Sequence, residues 1–123
     1  MQFTSRHFGN VAVASPIGRL DHSAAESFEQ GLSPLWQDPR AAALVIDFTG
    51  VDYMSSVGLR VLMIAAKAMR ARKARVAAAG LQPIVAEIFA ISRFDSVFEV
   101  FPTLRDALAA LSADAVAAYD AAH

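Results

Sequence analysis

The chain has 123 residues, 55% of them apolar and 19% charged, which suits one buried core and argues against disorder. Its net charge of -1 leaves no basic footprint for nucleic acid, and the absence of cysteine excludes disulfides and thiolate metal sites, as a reducing cytosol would allow. No apolar run approaches the ~18 residues needed to cross a bilayer, and the first ten residues lack a signal-peptide core, so a cytoplasmic chain is expected.

In chain order, Phe3 to His7 reads as a short strand and Gly9-Asn10 as a turn. Val11 to Ile17 follows as a strand, with Pro16 marking an edge or a frayed end. Gly18-Arg19-Leu20-Asp21 leaves that strand. Ser23 and Glu26 have capping-box spacing, so a helix carrying Phe28 and Leu32 on one face starts there. Ser33-Pro34 is expected to restart a turn, and Asp38-Pro39 to end the segment. Ala43 to Phe48 is an apolar run broken only by Asp47, the pattern of a strand covered on both faces. A helix from Ser56 to about Arg72 comes next, then a strand from Arg75 to Ala79 closed by Gly80. Pro83 opens a helix to about Ile91. Val97 to Phe101 reads as the last strand. Thr103 caps a helix carrying Leu104, Leu108 and Leu111. The alanine-rich stretch 112–123 is expected to extend that helix or fray. The alternation predicts one α/β domain over residues 1–111, with a mixed, mostly parallel sheet of four to five strands and about four helices.

Ser55 and Ser56 stand between a buried strand and an apolar helix. Serine is a preferred helix cap because its oxygen accepts from the orphan N–H groups of the first turn. A hydroxyl at the carboxyl end of a parallel strand also sits where α/β folds hold their sites. Projected at 100° per residue, Gly58, Leu59, Leu62, Ala65, Ala66 and Met69 form the core face of the helix. Ser56, Arg60, Met63, Ile64 and Lys67 share the opposite face. An exposed hydroxyl beside an apolar and basic stripe reads as a protein-docking face, and Met63 and Ile64 would equally serve a homodimer. Arg60 lies four residues after Ser56, within reach of a phosphate there. Asp21 and Asp47 end strands on the same rim, with Asp21 placed to cap the first helix.

An enzyme is not indicated. The nucleophile pattern G-x-S-x-G is absent, and only His7, His22 and His123 could serve as bases. His22 could approach Ser56, but nothing supplies a third orienting group. Metal-binding and phosphate-loop motifs are also absent, so no metal or cofactor is expected.

Three stretches carry a family resemblance: Gly18-Arg19-Leu20-Asp21, Val45-Ile46-Asp47-Phe48, and Tyr53-Met54-Ser55-Ser56-Val57-Gly58-Leu59-Arg60-Val61-Leu62. The chain resembles the STAS domain of bacterial anti-sigma factor antagonists. That resemblance implies a partner that is both an anti-sigma factor and a serine kinase, a PP2C-type phosphatase that reverses the reaction, and release of a sigma factor by the unphosphorylated form. It places the phosphorylated serine on Ser56 and leaves Ser55 as a second candidate hydroxyl, in a motif that lacks the acidic residue of the Asp-Ser-Ser-Gly version. The partner face would comprise Asp21, Tyr53, Met54, Ser55, Ser56, Val57, Gly58, Arg60, Met63, Ile64 and Lys67. The alternative keeps the fold without the switch, as a STAS scaffold or a module for a small ligand or nucleotide.

Overall fold

The computed structural model describes residues 1–123. Strands β1 (Gln2–Phe8) and β2 (Val11–Leu20) form an antiparallel hairpin around Gly9-Asn10. Helix α1 (Ala25–Trp36) leads to β3 (Ala43–Asp47) and β4 (Val51–Met54). Helix α2 (Ser56–Ala71) leads to β5 (Arg75–Ala79), and α3 (Pro83–Ile91) follows. A 3-10 turn at Phe94–Ser96 precedes β6 (Glu99–Phe101), α4 (Leu104–Leu111) and α5 (Ala113–Ala122). The sheet runs β1-β2-β3-β5-β6, with β4 added on the upper half of β2; every pairing except β1 with β2 is parallel. The predicted class holds, with six strands rather than four or five.

Alternation along the strands divides the interior in two. Ala12, Ala14, Leu44, Ile46, Val76 and Ala78 point to α1, α2 and α3 and join a core built around Phe28, Leu32, Phe48, Leu62 and Phe89. Val11, Val13, Ala43, Val45, Ala77 and Ala79 point the other way, to Leu104, Leu108 and Ala115 of α4 and α5. Both faces are covered, which is why Ala43–Ile46 is apolar without a break.

Four local expectations are corrected. The capping box at Ser23 does not form. The cap residue is Ala24, and the Asp21 carboxylate accepts from the Ala24 N–H at 3.1 Å and from the Ser23 hydroxyl at 2.8 Å. An ionised carboxylate is the stronger acceptor. Ser33-Pro34 does not restart a turn, because Pro34 lies inside α1. Pro34 is itself exposed in the last turn, and the carbonyl it leaves unpaired on exposed Gln30 can turn to water. The last strand begins at Glu99, because Phe98 turns into the core beside Phe89 and Phe94. Residues 112–123 neither prolong α4 nor fray. Ser112 is extended (φ -164°, ψ 125°), ends α4, and caps α5 by accepting from the Ala115 N–H. Tyr119 then packs edge-on against Phe8 of β1 at 5.4 Å between centroids.

Pro16 shows the accuracy of a rule and its limit. It lies within a ten-residue strand, yet β3 stops pairing at Ala14 and β4 starts at Gly18. At Pro16 the strand has only β1 as a neighbour, so the position behaves locally as an edge.

Arg70, Arg72, Lys73 and Arg75 crowd the end of α2, where cations suit the helix dipole, and two of them do more. Arg72 donates to the Trp36 carbonyl at 3.1 Å and to the Ala41 carbonyl at 2.7 Å, tying the end of α2 to the end of α1. Arg75 pairs with Glu99 across β5 and β6. Replacing Arg72 by alanine orphans two carbonyls and is expected to cost about 2 kcal/mol, as hydrogen bonds to charged groups do. Exposed Arg70→Ala is expected to cost under ~0.5 kcal/mol; urea unfolding of both variants checks the contrast.

Four carboxylates are held below their ordinary values of 3.8 for Asp and 4.5 for Glu: Glu99 by Arg75, Asp120 by Arg105, Asp38 by the Arg40 N–H, and Asp21 by the Ser23 hydroxyl. Each binds fewer protons folded than unfolded, so its stabilisation is whole above the ordinary value and lost as pH falls through the folded one. Melting temperature is expected to hold near neutrality and to drop below about pH 4.5. Glu99→Gln combined with Asp120→Asn should flatten the drop in a melting series from pH 6 to pH 3.

Candidate functional site

The carboxyl end of β2 and the start of α2 meet at one carbonyl. Leu20 O accepts from the Ser55 backbone N–H at 2.9 Å and from the Ser55 hydroxyl at 2.9 Å. The same Ser55 oxygen accepts from the Gly58 N–H at 3.3 Å and so caps α2. Strands β2 and β4 place these groups by pairing Leu20 with Met54. Gly58 is buried against this corner. A Cβ there would stand 3.1 Å from the Leu20 oxygen and 3.2 Å from Met54 Cγ, so glycine lets the helix close onto the strands.

The two serines therefore differ. Ser55 is half-buried, with its hydroxyl engaged both as donor and as acceptor. Ser56 is the first helical residue and is exposed. It stands among the orphan N–H groups of the first turn, where a helix favours negative charge.

The partner face expected around Ser56 is only partly assembled. Arg60 and Lys67 are exposed, and Val57 is half-buried. Tyr53 is half-buried beneath the Arg19 guanidinium, 4.3 Å from its ring centroid. Asp21 follows the shared carbonyl directly and lies half-buried at the start of α1. Met54 is only 2% exposed and Gly58 is buried, so both build the corner that carries the exposed residues. Met63 and Ile64 are half-buried against the core, not fully exposed, and Val61 takes the buried place expected for Leu59. The reason is α1, which packs along α2 and covers part of the stripe. Asp47 is occupied locally, accepting from the Thr49 N–H and hydroxyl.

Where α1 covers α2, a groove of about 400 Å³ remains beside the Ser56 corner. Its floor is Ala25, Val57, Val61 and Ile64; its rims carry His22, Glu26 and Glu29 on the α1 side and Arg60 on the α2 side. Glu29 was not singled out from sequence. Its spacing of three from Glu26 placed both on one helix face, but nothing local told that this face borders α2. No group of three or more His, Cys, Asp or Glu side chains is arranged to hold a metal, and no helix is long and apolar enough to cross a membrane.

The STAS domain model matches residues 2–107. BtrV of Bordetella bronchiseptica, provisionally named an anti-sigma factor antagonist, is 33% identical over 110 residues, covering 89% of this chain and 94% of BtrV. The crystal structure of an anti-sigma factor antagonist from Mycobacterium paratuberculosis superposes with a TM-score of 0.83 at 27% identity, over 89% of this chain and 92% of that one. The Bacillus cell fate determinant SpoIIAA in its phosphorylated form shares the fold, with a TM-score of 0.71 at 18% identity over 90% of this chain and 100% of that one. The match of the family model over most of the chain, the similarity to BtrV and the sheet with its capped α2 agree: this protein belongs to the STAS domain family and, by its homology, to the anti-sigma factor antagonists.

Proposed function

We propose that this protein is a non-enzymatic, cytoplasmic switch in which Ser56 is the phosphorylated residue. The unphosphorylated form binds an anti-sigma factor that is also a serine kinase, and a sigma factor is released. A PP2C-type phosphatase restores the binding form. The observation that carries the reading is the division of labour at the α2 start. Ser55 is committed to the Leu20 carbonyl and the Gly58 N–H, while Ser56 is exposed one residue further on. That SpoIIAA has been solved in a phosphorylated form gives a precedent in the same fold.

The chemistry suits a switch that acts on an interface rather than on the fold. The γ-phosphoryl group of ATP passes to the Ser56 oxygen, the hydroxyl proton leaves to a base of the kinase, and ADP departs. The new phosphate stands at the positive end of α2, where orphan N–H groups favour it, so the domain stays folded. In the complex, the same phosphate faces the nucleotide phosphates of the kinase and must be desolvated beside Val57. Like-charge repulsion and desolvation together end the binding.

Incubation with ATP and the cognate kinase should add one phosphate, read by intact mass. Ser56→Ala should abolish it with little change in stability, because that side chain is exposed. Ser55→Ala should still accept the phosphate but unfold about 1–2 kcal/mol more easily, having lost a cap. Phosphate retained by Ser56→Ala would move the site. No phosphate with the kinase would return the protein to the scaffold or ligand-binding reading.

A further inference from the structure

The groove between α1 and α2 has an arrangement of charge that phosphorylation of Ser56 does not require. Glu26 and Glu29 line one rim, Arg60 the other, and all three are exposed. None belongs to an ion pair. The only side-chain contact among the three is from the Gln30 amide to Glu26, a long one at 3.4 Å. Between the rims lies an apolar floor of Ala25, Val57, Val61 and Ile64. Val57 follows Ser56 in the chain, so one end of the groove lies next to the switch residue, which does not itself line it.

We propose that this groove seats a segment of the anti-sigma factor that presents a branched aliphatic side chain to the floor and a lysine or arginine to Glu26 and Glu29. The inference rests on the switch reading above and names what its partner must carry. Three arguments favour this occupant. The groove lies open, with its charged rims in solvent, whereas small-molecule sites enclose most of their ligand. Two unpaired carboxylates on one rim ask for a cation, and opposed potentials fix partner choice and orientation more than raw affinity. An aromatic or aliphatic side chain buried in a pocket and ringed by polar groups that exclude water is a recognised form of interface anchor. Arg60 on the far rim then requires an acceptor on the other flank of the segment. The groove is two-signed and admits the segment in one direction only.

The test is titration calorimetry of the cognate kinase with the unphosphorylated protein at 50 and 300 mM salt. Glu26→Lys combined with Glu29→Lys should weaken binding at least tenfold at low salt, and the loss should shrink at high salt. Glu26→Gln combined with Glu29→Gln should fall between that variant and wild type, which covers the case where the reversed variant does not fold. Both should still receive phosphate on Ser56 at saturating kinase. Binding within twofold of wild type in the variants would overturn the groove and leave the switch standing. Kinase that neither binds nor phosphorylates the wild-type protein would overturn both. Tightening of binding by charge reversal would show an acidic partner segment and overturn the assignment made here.

Discussion

The carbonyl of Leu20 is where the architecture becomes a site. It takes two hydrogen bonds from one residue, the N–H and the hydroxyl of Ser55. Through them the end of β2, the end of β4 and the start of α2 become one rigid corner. Gly58 brings the helix close enough for this to happen, and Asp21, the next residue after the carbonyl, begins the turn into α1. A hydroxyl used this way is unavailable to a partner. The exposure of its neighbour depends on it: with Ser55 holding the cap, Ser56 has no structural duty.

This corner also sets the relation between α1 and α2. Both helices start from strand ends that it fixes, and Arg72 fixes their far ends by bonding the Trp36 and Ala41 carbonyls. The two helices are thus pinned at both extremities. The groove between them is a consequence of that pinning, with buried Val61 and half-buried Ile64 as its base and charged residues of both helices along its edges. The stripe on α2 that seemed solvent-facing from periodicity alone becomes partly interior for the same reason.

What could be read in the sequence was what local chemistry controls. β5 and α3 fall on the expected residues, because each is an uninterrupted pattern ended by Gly80 or opened by Pro83. The loop-helix motif at Tyr53–Leu62 was legible because it combines a cap, a small residue and a helical stripe. β4 was not legible. Its four residues follow Gly50 like a turn, and they form a strand only because the end of β2, remote in sequence, offers an edge. The role of Arg72 was hidden for the same reason, since its acceptors lie 31 and 36 residues away. α5 has no apolar face to announce it; the Ser112 cap and the contact of Tyr119 with Phe8 define it.

The division of the interior by the sheet has a practical meaning for anyone handling this protein. The chain's last helix packs on the face opposite the one that carries α1 and α2. A tether, an affinity handle or a fluorescent reporter joined after His123 therefore departs from the side of the molecule away from the α1–α2 groove. Such a fusion immobilises or labels the protein while the α1–α2 groove stays unobstructed, so attachment at the carboxyl terminus is the arrangement that the architecture itself recommends.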